Sequence, residues 1–215
     1  MSSGRPPALV LASENPGKLR EFERLLSPFG WAVVPARAAG FSGTLLEPGS
    51  TYTENALAKA AAVCAALGVA ALGDDSGIEV EALAGWPGPL SARWLGPHAD
   101  DQARLRALLE AVKERTPEDR RVRYVAALAL ARPKAEPIVA HGVCHGVLVE
   151  PSGSGGFGYD PAFWSVELRT TFGEADDRQK DTVSHRARAV MRLAESGALS
   201  PSRLRSETEQ QPLSP

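Results

Sequence analysis

Two long stretches of strand-forming sequence, residues 121–131 and 138–150, constrain this chain most. They flank a Pro-containing turn and read as an antiparallel hairpin. The hairpin has to share its sheet with upstream strands and helices. Residues 8–12, Ala-Leu-Val-Leu-Ala, are a short apolar run of the buried-strand type. Asn15-Pro16 then reads as the N-cap and first residue of a helix, where proline's missing N–H costs nothing. That helix puts Leu19, Phe22, Leu25 and Leu26 on one face and ends near Pro28. Residues 31–34 are a second strand candidate, and residues 36–50 read as irregular. Thr51-x-x-Glu54 is a capping box opening an Ala-rich helix to Leu67, closed by Gly68. Short strands at 69–72 and 78–80 are expected to flank a Gly73–Gly77 turn. Beyond them, 100–115 is an amphipathic helix, 153–158 a glycine-rich loop, and Asp176 and Ser184 start two short helices. Helices mixed with strands of both directions imply an α/β or α+β fold.

With 215 residues, the chain suits one domain or two closely packed lobes, with a core that needs no staples. A net charge of −2 gives no bulk attraction to nucleic acid or to an anionic membrane. An anionic ligand would therefore be met by a few focused cations and a metal. No apolar run approaches the roughly 18 residues of a membrane span. Cys64 and Cys144 form neither a disulfide framework nor a zinc spacing, and the N-terminus lacks a signal-peptide core. A cytoplasmic protein is expected, with a flexible N-terminus over 1–7, a single domain over 8–199 and a disordered tail over 200–215.

Four segments have the chemistry of a site, each with an ordinary structural alternative. Ser13-Glu14-Asn15-Pro16-Gly17-Lys18 places backbone N–H groups and a lysine at a helix start, a combination that attracts phosphate. Lys18 opposes the helix dipole there, which a ligand would explain; an ordinary capped helix start is the alternative. Asp74-Asp75-Ser76-Gly77 offers adjacent carboxylates that need a cation or hydrogen bonds, and hard oxygens suit Mg²⁺, with Glu47 upstream as a further ligand. The same residues are good turn formers. Gly155-Gly156-Phe157-Gly158-Tyr159-Asp160-Pro161 sets two aromatic rings on a loop, either to stack on a base beside Asp160 or to staple the loop to the core. Lys180, with Ser184 as an N-cap ahead of His185 and Arg186, again concentrates cations at a helix start, or forms a basic surface helix. His141 and His145 share a strand face about 13 Å apart, too far for one ion.

Taken in order, these segments resemble the inosine triphosphate pyrophosphatase family, the non-canonical purine nucleoside triphosphate (dITP/XTP) pyrophosphatases. The carriers are Ser13-x-Asn15-x-x-Lys18-x-x-Glu21, Thr53-Glu54-Asn55-Ala56 with Lys59, Asp74-Asp75-Ser76-Gly77-Ile78-Glu79-Val80, Gly85-x-Pro87-Gly88-x-x-Ser91-Ala92-Arg93, Gly156-Phe157-Gly158-Tyr159-Asp160-Pro161-x-Phe163, and Thr171-Phe172-x-Glu174 through Lys180 to Ser184-His185-Arg186. The resemblance covers residues 8–193. It implies an α/β fold of two lobes around a long central mixed sheet, the active site in the cleft between them, and a homodimer. It implies hydrolysis of ITP, dITP or XTP to the monophosphate and pyrophosphate with Mg²⁺. Asp75 would then be the catalytic carboxylate and a metal contact, and Glu47 a second metal ligand. Residues 13–18 (Ser13, Glu14, Asn15, Pro16, Gly17, Lys18) and Lys59 would hold the phosphates, with Ser76 near the substrate. Phe157, Gly158 and Tyr159 would bracket the base, with Asp160, Lys180, His185 and Arg186 at its polar edge.

The chain departs from the family pattern at Glu14, where a small residue is usual, and in the bulk of Trp86 and Trp94. Two other functions fit the same motifs: a pyrophosphatase for another modified nucleotide, as in Maf-like relatives, and a nucleotide sensor without catalysis. The intact Asp74, Asp75 and Glu47 argue against the sensor.

Overall fold

The computed structural model describes residues 7–96 and 98–200. The expectations for the N-terminal stretch and the tail lie outside the described residues, apart from Pro7 and Ser200. The α/β expectation holds. Chain order is β1 (Ala8–Ala12), α1 (Pro16–Leu26), β2 (Ala32–Pro35), α2 (Tyr52–Leu67), β3 (Ala71–Val80), α3 (Asp101–Arg115), β4 (Arg121–Arg132), β5 (Ala135–Leu148), β6 (Phe163–Ser165), β7 (Thr170–Thr171), α4 (Asp177–Val183) and α5 (His185–Glu195). One seven-stranded mixed sheet runs β2-β1-β3-β4-β5-β6-β7. β1 lies parallel to β2 and β3, and the pairs from β3 to β7 are antiparallel. The parallel pairs need helical crossovers, which α1 and α2 supply.

The helix boundaries follow the local signals. Asn15 caps α1 by accepting from the Gly17 and Lys18 N–H groups. Thr51 and Glu54 form the capping box of α2, and Gly68 ends that helix in the left-handed region at φ 66°. Asp176 and Ser184 cap α4 and α5. The β4–β5 hairpin is the expected one, with its turn at Pro133-Lys134.

The Gly73–Gly77 turn is not present. β3 passes straight through it as one ten-residue strand. Every residue from Gly73 to Gly77 has a partner on β4, with Asp74 opposite Leu128, Asp75 opposite Ala127 and Ser76 opposite Ala126. Turn propensity is local and weak, whereas a twelve-residue neighbour already satisfied by β5 offers a complete ladder. The buried carboxylates are tolerated because cations from other elements meet them, as described below.

Packing divides at the middle of β3. Its first half, with β1 and the far halves of β4 and β5, is covered by α1 and α5 on one face and by α2 on the other. Its second half packs with α3, the start of β4, the end of β5, and Phe163 and Phe172. The residues between Leu72 of one core and Ile78 of the other are therefore placed where two packed bodies meet. Gly142 on β5 allows α5 to lie directly on the sheet, since a Cβ there would collide with the His185 carbonyl. That contact fixes where α5 begins.

Candidate active site

The site starts from an uneven strand length. β1 stops at Ala12, whose partner is Gly73. Among the described residues, no strand lies on that edge of β3 beyond Gly73 until the bridge between Glu79 and Pro87. The gap faces the start of α1, at the carboxyl end of a parallel strand, where α/β sheets form ligand crevices. Ser91 closes its far side, donating from Oγ to the Ile78 carbonyl and accepting from the Ile78 N–H.

Strand alternation sends Asp74 and Ser76 to one face and Asp75 to the other. The adjacent carboxylates are thus not a chelating pair. On the α1/α5 face, Asp74 Oδ2 accepts from Lys18 Nζ at 2.7 Å, Ser76 Oγ at 3.2 Å and Arg186 Nε at 3.4 Å. Arg186 also donates from Nη1 to Glu21 at 2.8 Å and from Nη2 to Ser76 Oγ at 2.6 Å. Glu21 pairs with Lys180, which reaches Asp160 at 2.6 Å. The result is a ladder of alternating sign: Lys18, Asp74, Arg186, Glu21, Lys180, Asp160. All but Lys18 are buried.

Burial alone would raise the Glu21 carboxyl, but Arg186 and Lys180 outweigh it and hold it at about 2. Asp74 is likewise held far down, by Lys18 and Arg186 against its burial. Burial lowers Lys18, and Asp74 opposes that shift. Burial and the Arg186 charge push His185 well below its ordinary value, so the imidazole is neutral at pH 7. Its ring stacks on Tyr124 at 4.6 Å.

The α2 face has a shorter chain of charges. Lys59 Nζ donates to Asp75 Oδ1 at 3.0 Å and to Glu47 Oε1 at 2.7 Å. Asn55 donates to Asp75 Oδ2 at 3.1 Å, and Arg93 pairs with the second Glu47 oxygen. Asp75 is buried, whereas Glu47 sits in an irregular segment with its side chain 26% exposed. Among the described residues no three His, Cys, Asp or Glu side chains form a metal cage. Glu47 and Asp75, brought together by one ammonium, are the carboxylates a divalent ion could use along with ligand oxygens.

Above the buried ladder, a cavity of about 110 Å³ is lined by residues that include Asn15, Lys18, Ser76, Phe157, Tyr159 and Arg186. The same lining takes in Gly158, Asp160 and His185, so it gathers most of the residues singled out from the sequence. The Phe157 ring lies on Gly17, where a Cβ would come within 2.5 Å, and its centroid is 5.1 Å from Lys180 Nζ and 5.3 Å from Arg186 Cζ. Tyr159 is buried, donating to the Ser91 carbonyl at 2.7 Å and accepting from Trp94 Nε1 at 2.9 Å. Both Asp160 oxygens are engaged, Oδ1 by Tyr124 and Oδ2 by Lys180 and the Phe157 N–H. A larger groove of about 680 Å³ between α2 and the β4–β5 turn is mainly apolar and has no carboxylate in its lining.

Four expected phosphate contacts are arranged otherwise than a bare helix start implies. The Gly17 and Lys18 N–H groups are taken by Asn15 Oδ1, the Asn15 N–H by Ser13 Oγ, and Glu14 turns away to Arg37 at 2.9 Å. Lys18 is the donor of that segment that enters the cavity alongside Asn15. Sequence reasoning assigned no role to Glu21, Asn55, Arg93, Trp94 or Tyr124. The spacing Lys18-x-x-Glu21 shares a helix face, as Asn55 and Lys59 do, so these two were within reach. Arg93 closes the Gly85–Arg93 motif, whereas nothing local marks Tyr124.

Comparison with known proteins gives one consistent result. Residues 9–196 match the model of the Ham1 family. A dITP/XTP pyrophosphatase of Thermus thermophilus is 45% identical over 189 residues, 87% of this chain and 90% of the relative. One from Bacillus subtilis is 38% identical over 186 residues, 86% of this chain and 94% of the relative. Among solved structures, a HAM1 protein from Coxiella burnetii superimposes with a TM-score of 0.79 at 35% identity, covering 89% of this chain and 98% of that one.

Proposed function

The chain belongs to the Ham1 family, and from that premise we propose that it hydrolyses ITP, dITP and XTP to the monophosphate and pyrophosphate, clearing aberrant purines from the nucleotide pool. The observation that carries the proposal is the division of labour along β3: an aromatic and cationic cavity on one face, and a lysine-bound pair of carboxylates on the other. A triphosphate lying across the free edge of β3 would meet both.

The donor set fits Mg²⁺. This ion usually takes one or two carboxylates and completes its octahedron with water and phosphate oxygens. Glu47 and Asp75 would hold it, and when bound it would neutralise phosphate charge and acidify a coordinated water. Asp75 is the residue that would take the proton of the attacking water, kept in orientation by Asn55 and Lys59. Lys18 and Lys59 would stabilise the charge that develops on the departing pyrophosphate. At the other end, Phe157 and Tyr159 would flank the base. Arg186, which only donates hydrogen bonds, suits a 6-oxo acceptor and opposes the 6-amino group of adenine. Neutral His185 can add a hydrogen bond there without adding charge. We further propose a homodimer working in the cytoplasm. No described helix is long and apolar enough to cross a membrane.

A panel of ITP, dITP, XTP, GTP and ATP, assayed for pyrophosphate with and without Mg²⁺, tests the reading. The expected result is metal-dependent pyrophosphate release from the first three, with ATP far slower. Orthophosphate as the primary product would refute it.

A further inference from the structure

We propose that Asp74 is a positioning residue that couples the phosphate end of the cavity to its base end. This rests on the nucleotide-binding reading above. Lys18, Ser76 and Arg186 all line the cavity, whereas Asp74 lies behind them and is fully buried. One oxygen, Oδ2, takes all three of their donors. The other, Oδ1, is buried with no hydrogen-bond partner.

A carboxylate with two oxygens accommodates about four donors, so crowding three on one oxygen while the other has none is not its best arrangement. The contacts are also unequal, at 2.7 Å for Lys18 against 3.4 Å for Arg186. Lys18 therefore holds the larger share of Asp74 in the absence of a ligand. A polyphosphate drawing Lys18 forward releases that share to Arg186. Arg186 is then oriented from two sides, by Asp74 and by Glu21. Ser76 Oγ, which accepts from Arg186 and donates to Asp74, stiffens the link. Phosphate occupancy thereby sharpens the donor that faces the base, and discrimination between bases is greatest for nucleotides with a full polyphosphate.

The test is calorimetric titration of ITP, ATP, IMP and AMP in EDTA, where no metal supports turnover. In the wild type, the ITP-over-ATP ratio of affinities should exceed the IMP-over-AMP ratio. Asp74→Asn should cut the ITP-over-ATP ratio about tenfold, the size of one lost charge-assisted hydrogen bond, and bring the two ratios together. Ser76→Ala, small and easily accommodated, should move them the same way by a smaller factor and keeps the test open if Asp74→Asn does not fold. Lys18→Met should weaken ITP while preserving its preference over ATP. Variants that weaken ITP and ATP by equal factors would reduce Asp74 to a structural support and overturn the coupling. A wild type that does not distinguish ITP from ATP would instead overturn the functional reading beneath it.

Discussion

The two faces of β3 solve the same problem in opposite ways. On the α1/α5 face, each buried charge is held by neighbours from several elements, and the ladder ends in the buried Asp160. On the α2 face, Asp75 is buried, but its partner chain ends at Glu47 and Arg93, which are part-exposed and belong to irregular segments. A buried hydrogen-bonding surface held from several sides suits recognition, because it makes a second donor costly where an acceptor belongs. A part-exposed carboxylate suits an ion that must be admitted along with each substrate. The difference is one of burial, placed on either side of a single strand.

The largest expected effect separates chemistry from architecture. Asp75→Asn should lower the rate of pyrophosphate release by about 10³-fold or more, with the fold retained because Lys59 keeps Glu47. Substantial retained activity would remove Asp75 from the reaction. Next, the two faces should differ in what a neutralised carboxylate costs. Glu21→Gln leaves Arg186 and Lys180 short of a buried counter-charge and should cost about 3–5 kcal/mol in urea unfolding. Glu47→Gln, at a part-exposed site, should cost less than about 1 kcal/mol. Equal costs would erase the distinction between the faces.

Acid exposes the same contrast. The Glu21 carboxyl titrates at about 2 in the folded chain against an ordinary 4.5. Its contribution is present above 4.5 and is lost as pH falls from there toward 2. Unfolding free energy followed by denaturant titration over that window should decline more steeply for wild type than for Glu21→Gln. Gly142→Ala should be milder, about 1–3 kcal/mol, by forcing α5 off the sheet. It should raise KM more than it lowers kcat, since Arg186 moves with the helix. At the mild end too, Thr51→Ala removes the α2 cap for about 1 kcal/mol. It should leave the preference among nucleotides untouched, and a changed preference would show that the α2 face also reads the base.

Much of this was legible in the sequence because it is written locally. Caps at Asn15, Thr51, Asp176 and Ser184 depend on one side chain and the next turn, and each is found where expected. The order of the motifs led to the family, which the match over residues 9–196 bears out. The Asp74 region was misjudged because its strand character comes from β4, some fifty residues away, and Asp-Asp-Ser-Gly carries no trace of that neighbour. The opposite orientations of the two aspartates went unseen for the same reason: a turn has no alternation to apply. The spacing from Lys18 puts Glu21 on the site's helix face, but its partners Lys180 and Arg186 come from α4 and α5, far along the chain, so its role in the ladder is not written locally.

The early end of β1 has a further consequence once β3 is seen to run on with β4 as its one flanking strand. Over that stretch the strand acts as a partition, and which compartment a side chain enters is decided by odd or even position. Deleting or inserting one residue there would transpose every group beyond the change, bringing an acid meant for water into the compartment that reads the base. A change of two would restore the parity but displace the groups by about 7 Å. Length variation is thus excluded from this segment more strictly than substitution. Two neighbouring aspartates are the shortest way for a chain to address two compartments at the same depth.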